Sequence, residues 1–552
     1  MDSIAPTPAI LAISILGLYV VVSIYKTLLH SPLASIPGPK SFALTKWRLA
    51  YEDYRGTRTR YMQTLHEKYG DAVRIGPREV SFNSLSALRS IYGAGTVFQR
   101  DSFYRMFDAY GRQVMFSFAS SKDHRDRKKL LNHAYSKTAV LSPRNASMVE
   151  EKVQKFMGLI EREADHKSGT LEIFAALHCF SLDTITRFLY GNSTRSPSSR
   201  GATATLTSPQ DRTLLLHDIL DPDRRKLSWF TIHFPSLTNW LYSRTGIVER
   251  ALTRLDVLPM RKPATYTGIR AHALKAAEEM HRSSTSSGST KTLDASESIA
   301  ERLLLAASAE SSKKGGGQAM DHLDVAAECA DHLLAGIDTT SDTLMWAIFA
   351  LSQPENAIFQ EKLRAEIVGA LQLVATDEDE IENVNGIPIS ALAADKLPYL
   401  DAVIKETLRL FAPLPGTEPR AAETEQVVDG HRIPRGTVVS ISPYTLHRNP
   451  TVFKSPDKFN PDRWVSSSGE EIAEMKRWFW AFSSGGRMCI GMHLAMAEMT
   501  TLLANLYKTY KTEIAPGFQG VSPGVTARYE VFYDEKFPRM EEHVCWVRFV
   551  KQ

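Results

Sequence analysis

Apolar residues recur at three- and four-residue spacing over long stretches of this chain. The pattern predicts helices over 148–163, 323–351, 356–371, 400–411 and 493–510. Alternating, β-branched pieces are short, at 72–75, 80–82, 426–428 and 437–441, and predict small strands. No internal repeat is visible. The reading is a mainly α protein with small β-sheets, forming one large domain over 41–552. Three polar stretches rich in Ser, Thr, Gly or Lys, at 193–210, 283–291 and 313–317, predict surface loops.

The first thirty residues follow a different pattern. No charge occurs from Ser3 to Tyr25, and 9–25 is densely apolar. About 17–20 such residues suffice to cross a bilayer as a helix. A cleaved signal peptide wants a basic start, whereas this chain carries Asp2 and places its first cations after the span, at Lys26, Lys40, Lys46 and Arg48. Positive residues favour the cytosolic side, so 1–30 is read as a single-pass anchor with the large domain in the cytosol. Pro32, Pro37 and Pro39 make 31–40 a stiff, non-helical hinge. The sequons at Asn145 and Asn192 then face the cytosol and stay unmodified.

Composition narrows the class. Of the 552 residues 43% are apolar and 23% charged, which is ordinary for a globular protein and excludes wholesale disorder or a polytopic membrane protein. Lys+Arg 66 less Asp+Glu 62 leaves +4, too little to suggest a nucleic-acid partner. The four cysteines, Cys179, Cys329, Cys489 and Cys545, stand far apart and form neither a disulfide scaffold nor a CxxC metal knuckle.

One of those cysteines has informative neighbours, in Phe482-Ser-Ser-Gly485-Gly-Arg487-Met-Cys489-Ile-Gly491. Gly485 permits a turn that a side chain would block. Cys489 precedes a helical pattern starting near Ile490, and a helix N-terminus favours a thiolate. Arg487 offers a charged fork to a carboxylate, and Gly491 lets a large flat group approach the backbone. A thiolate, a cation and close approach suit haem, with iron on sulfur and a propionate on arginine. A buried cysteine in a turn is the plain alternative; the combined spacing favours haem. Two further segments stand out. Glu406-Thr-Leu-Arg409 brings opposite charges together at i and i+3 beside an apolar stripe. Ala335-Gly336-Ile337-Asp338-Thr339-Thr340 sets glycine and hydroxyl residues inside the longest helix, where Thr339 Oγ can bond the Ala335 carbonyl and open a groove.

Together these segments resemble the cytochrome P450 family of haem-thiolate monooxygenases, in particular its fungal microsomal members, over nearly the whole chain. The resemblance implies the fold of that family, haem b (iron protoporphyrin IX) bound through Phe482, Arg487 and Cys489, and Cys489 as the axial iron ligand. Asp338 and Thr339 become the acid and alcohol that relay protons to oxygen. Glu406, Arg409 and Arg463, the last in Phe459-Asn-Pro-Asp-Arg463-Trp, form a structural triad. Arg420 matches a propionate-binding arginine. His124 and Lys128 stand where the family has Trp and Arg, so the fixed guanidinium fork is lost there. His447, a lone histidine, is left out of the site.

The same resemblance implies an apolar, membrane-partitioning small-molecule substrate. Its pocket would draw on 98–118, the aromatic stretch before Tyr242, the long helix, 412–419 and 518–526. Those aromatics are read as lying in loop-like stretches, lining a greasy pocket and a patch that dips into lipid. No Gly-x-Gly-x-x-Gly follows a strand, so electrons must come from a partner. For a member on the endoplasmic-reticulum membrane this implies an NADPH-dependent cytochrome P450 reductase, with cytochrome b5 as a second donor. A haem-thiolate isomerase or dehydratase, which needs no external electrons, is the alternative activity. A membrane-anchored haem or lipid binder without catalysis is a third reading.

Overall fold

The computed structural model describes residues 8–166, 169–191, 223–243, 247–255, 270, 273–282, 298–311, 320–373, 388–528 and 530–552. The polar stretches expected as loops at 193–210, 283–291 and 313–317 lie outside the described residues. Helix α1, Pro8–Tyr25, is continued by a π-helical turn, Lys26–His30. The span Leu11–His30 has a mean hydropathy of 1.9 and an apolar window none of which is buried; at its C-terminal turn the Thr27 carbonyl accepts from Arg74 Nη1 at 3.1 Å. Residues 31–39 after it are non-helical, a short helix begins at Lys40, and the Pro37 carbonyl accepts from Arg74 N at 2.7 Å.

The chain forms two compact units. The first comprises the residues up to Asp101, Gly416–Leu446 and Ser484–Arg487. It is built on strands β1 (Ala72–Gly76), β2 (Glu79–Phe82) and β3 (Phe98–Arg100), with helix α2 (Leu85–Tyr92) between the second and third. Later in the chain come β4 (Arg420–Ala422), β5 (Gln426–Val428) and β6 (Val438–Ser440). Five of these join in the order β1-β2-β6-β4-β3, and β5 forms a separate hairpin with His431–Ile433. The β2–β6 pair is parallel and the other three pairs in that sheet are antiparallel, so distant segments are knitted into one sheet.

The second unit is largely helical: α3 (Ser121–Leu131), α4 (Pro143–His166), α5 (Ile173–Tyr190), α6 (Asp223–His233), α7 (Pro235–Ser243), α8 (His322–Leu351), α9 (Ala357–Gln372), α10 (Pro398–Leu410) and α11 (Met492–Thr509). The five long helices expected from spacing are α4, α8, α9, α10 and α11. An Asp321 capping box starts α8, with Asp321 and Asp324 each satisfying the other's backbone N–H. Helices α5 and α8 pack antiparallel: Tyr190 meets Cys329, Ile185 meets Gly336 and His178 meets Asp342.

One expectation needs correction. The aromatic stretch at 229–242 is helical, in α6 and α7, rather than loop-like. Its rings sit at helical spacing, so Trp229 meets His233 at 5.0 Å and Phe230 meets Phe234 at 6.1 Å. Segment 102–118 is irregular apart from a 3₁₀ turn, Ser102–Phe107, and packs on itself, Phe107 meeting Phe116 edge-on at 4.9 Å.

Candidate active site: a cysteine loop, a hydroxyl-bearing helix and a buried charge triad

Phe482–Cys489 is a closed loop. The Cys489 N–H donates to the Phe482 carbonyl at 2.9 Å, and Ser483 N donates to Trp480 O at 3.1 Å. Within the first unit, Gly485 has φ +62°, and a Cβ there would stand 2.3 Å from the Tyr92 carbonyl, so both its backbone and its neighbours require glycine. Arg487 lies in the 3₁₀ turn Gly485–Arg487 and is half-buried. Helix α11 starts at Met492 with Gly491 as N-cap, one residue before the span expected from spacing.

Cys489 is exposed, whereas Cys179, Cys329 and Cys545 are buried. Burial pushes the Cys329 and Cys545 thiols up, and the Glu328 and Glu172 carboxylates add to it respectively, so neither offers a thiolate. A Cβ on Gly491 would lie 4.0 Å from Cys489 Sγ, so the backbone beside the sulfur is bare. An accessible thiol on a tightly closed loop with an unencumbered flank fits a haem-thiolate centre.

Four cationic or imidazole side chains were expected at the propionates. His124 is buried on α3, and Lys128, one turn on, donates from Nζ to the Met488 carbonyl at 2.9 Å. This lysine therefore holds the cysteine loop. In the first unit Arg420 is 2% exposed, lies 4.9 Å over the Tyr92 ring and donates to Glu418 Oε2 at 3.2 Å.

On α8, residues 325–330 and 340–351 are buried, but Ala335 is exposed and Gly336, Asp338 and Thr339 are partly so. Thr339 Oγ1 donates to Ala335 O at 2.7 Å, and Thr343 Oγ1 donates to Thr339 O at 2.7 Å. Hydroxyls bonded back into the helix divert carbonyls from the regular ladder and favour bending. The accessible stretch thus coincides with the acid and alcohol.

Glu406 and Arg409 are wholly buried. Glu406 Oε1 accepts from Arg409 Nη2 at 2.8 Å, Asn460 N at 2.9 Å and Arg463 Nε at 3.1 Å. Its Oε2 accepts from Arg409 Nε at 2.9 Å and Trp464 Nε1 at 3.0 Å. Arg409 spends its remaining protons on the carbonyls of His447, Pro456 and Lys458. Burial alone would raise the Glu406 carboxyl; the charges of Arg409 and Arg463 outweigh it and hold the group below its ordinary value. His447 belongs to this core: Nε2 accepts from Trp480 N at 2.8 Å and Nδ1 donates to Arg409 O at 3.2 Å.

Several polar groups escaped sequence reasoning. Glu328 on α8, fully buried, accepts from Arg127 of α3 and from Met115 N at 3.1 Å, and faces His332 at 3.4 Å. His332 Nδ1 meets Tyr135 OH at 2.6 Å. Burial raises the Glu328 carboxyl; the His332 hydrogen bond and the Arg127 charge more than offset that and leave it lowered. His178 on α5 lies between Asp342 at 3.6 Å and Asp338 at 4.0 Å. The i, i+4 spacing of the two aspartates was readable; a lone histidine in an apolar run gave no signal.

This assembly, a mainly helical protein with a closed cysteine loop and a central helix whose Thr339 and Thr343 hydroxyls bond back to its own carbonyls, is that of a haem-thiolate oxygenase. The sequence model of the cytochrome P450 family matches residues 37–523, and the chain belongs to that family. It is similar to the cytochrome P450 monooxygenase cypX of Dothistroma septosporum, at 27% identity over 92% of this chain and 91% of that one. It is similar to the cytochrome P450 monooxygenase aflV of Aspergillus parasiticus, at 28% over 93% and 90%. A third relative, the N-acetyltryptophan 6-hydroxylase ivoC of Emericella nidulans, is 28% identical over 88% of each chain. The protein is accordingly a monooxygenase, an oxidoreductase of the class that carries haem iron.

Proposed function

We propose that this monooxygenase is anchored in the endoplasmic-reticulum membrane by residues 1–30, with 31–40 as hinge and 41–552 as a cytosolic catalytic domain. It would insert one oxygen atom into an apolar small molecule of secondary metabolism. The observation that carries the reading is Cys489, the one exposed cysteine, on a loop fixed by its own N–H to Phe482 O. Fungal monooxygenases of matching length among the relatives support the setting.

Haem b would be held through the Cys489 sulfur and would supply the iron for oxygen chemistry. The chain's own residues do the rest. Cys489 presents the thiolate, and Phe482 and Gly485 shape the loop that aims it. Arg487, Arg420, His124 and Lys128 offer hydrogen bonds and positive charge to the propionates. Asp338 and Thr339 hold and pass the two protons that the reaction consumes with each pair of electrons. Glu406, Arg409 and Arg463 brace the core beneath the loop. Electrons are assigned to an NADPH-dependent reductase, with cytochrome b5 as an auxiliary donor, docking on the basic face near Lys128.

The test is reconstitution of the full-length protein with reductase, NADPH and a panel of apolar metabolites. A hydroxylated product that requires both donors is expected. Turnover without NADPH and reductase would favour the isomerase or dehydratase reading, against which Asp338 and Thr339 argue, since that chemistry needs no proton relay. Cys489→Ala is expected to lose the absorption band of the reduced, CO-bound thiolate haem; a retained band refutes the ligand assignment.

A further inference from the structure

His178 sits on α5, outside every segment that carries the site, 2% exposed and against the helix that bears Asp338. Its Nδ1 lies 2.8 Å from the Phe174 carbonyl. A carbonyl only accepts, so Nδ1 carries a proton. Nε2 then faces two carboxylates, Asp342 Oδ1 at 3.6 Å and Asp338 Oδ1 at 4.0 Å. A bare lone pair aimed at two anions is repelled, and a protonated Nε2 is attracted to both. Asp342 and Asp338 stand at i and i+4 on one face of α8, where like charges oppose each other unless a cation separates them. Asp342 is nearly buried (5% of its side chain exposed) while Asp338 is 30% exposed, so only Asp338 has room to move. The Phe174 ring, tilted against His178 at 4.1 Å, also meets the ionisable His543 at 5.1 Å.

We propose that His178 is a positioning residue for proton delivery: as an imidazolium between Asp342 and Asp338 it holds the Asp338 carboxyl at the accessible stretch of α8, beside Thr339. The proposal rests on the acid–alcohol reading of Asp338 and Thr339 and adds the element that fixes the acid. Without the imidazolium charge the two carboxylates repel, and Asp338, the exposed one, swings towards water. Protons then arrive out of place, and the two electrons taken from NADPH leave with two protons and dioxygen as hydrogen peroxide instead of yielding product and water.

The test uses the full-length, haem-loaded protein with reductase, and reads product and peroxide per NADPH. His178→Gln keeps a donor of similar reach but cannot carry charge. It is expected to retain the reduced CO band and the substrate-induced spectral shift while product per NADPH falls roughly ten-fold, less than the ~10²–10⁴ that a general acid contributes. Adding Asp342→Asn to it, which removes the repelling carboxylate, is expected to restore part of the coupling. A merely structural role for His178 predicts no such rescue. In an Asp338→Asn background, His178→Gln should cost nothing further, because both act through one carboxyl. Unchanged coupling in His178→Gln, or a full additional loss on top of Asp338→Asn, overturns the proposal while leaving the acid–alcohol reading intact. Unchanged coupling in Asp338→Asn itself fells both. Should His178→Gln fail to take up haem, Asp342→Asn alone serves. With the repelling carboxylate gone and the imidazolium left to Asp338, product per NADPH is expected to hold or rise; a fall like that expected of His178→Gln overturns the proposal.

Discussion

Gly336 of α8 lies against Ile185 of α5 so closely that a Cβ on the glycine would stand 2.7 Å from Ile185 Cγ1 and 3.1 Å from its Cβ. The bare backbone at this point sets how near the two helices come, and His178, seven residues before Ile185, is thereby brought to Asp338 and Asp342. Gly336→Ala adds helix propensity worth up to about 1 kcal/mol. The clash costs about 1–3 kcal/mol in a close-packed interior, so the net effect is destabilising. The thermal midpoint is expected to fall, and peroxide per NADPH to rise as α5 is pushed from the acid. A raised midpoint with unchanged coupling contradicts this.

Thr339→Ala removes the hydroxyl that donates to Ala335 O. Haem uptake and substrate binding should persist, because the side chain is partly exposed and braces nothing else among the contacts described. Product per NADPH is expected to drop with peroxide making up the difference. Coupling equal to that of the parent enzyme argues against the alcohol's part in proton transfer.

Glu406→Gln strips the carboxylate from two buried guanidiniums, those of Arg409 and Arg463. Breaking a buried pair in this way costs about 3–5 kcal/mol, comparable with the whole stability of many proteins. The variant should accumulate little haem-loaded protein, read from the CO band per milligram. Arg432→Ala, which breaks the exposed pair with Glu425, is the control and should change little.

His447 gives a pH dependence with a definite sign. Burial first, and the Arg409 charge second, push its imidazole down from 6.5 to about 3. Between those values the unfolded chain takes up a proton that the folded chain refuses. Its contribution to stability is therefore whole above pH 6.5 and is lost as pH falls towards 3, by up to about 1.4 kcal/mol per unit. His66, in the first unit, is also lowered by burial and acts in the same direction. Thermal midpoints measured from pH 7.5 to 5 should decline. In His447→Gln the decline should be shallower; an equal slope assigns the effect to other groups.

Much of the architecture was readable because it is local. The candidate membrane span is a matter of length and apolar content, and the helices at 148–163, 323–351 and 400–411 follow from spacing alone. Boundaries moved by one or two residues where caps decided them, as at Asp321 and Gly491. The aromatic stretch at 229–242 was misjudged because bulky rings in a run resemble a loop lining, although their i, i+4 contacts are what a helix provides.

The cysteine loop, the Glu406–Arg409 pair and the acid–alcohol segment were determined by sequence, since each is a short motif whose residues act within a few positions of one another. What only the tertiary structure decided are the pairings across distant segments: Arg127 with Glu328, Lys128 with the Met488 carbonyl, Tyr135 with His332, and His178 with Asp338 and Asp342. A titratable side chain in an apolar run carries no mark of its partner. The partner is fixed by the angle and closeness of two packed helices, and here that closeness depends on a glycine far along the chain from the histidine it serves.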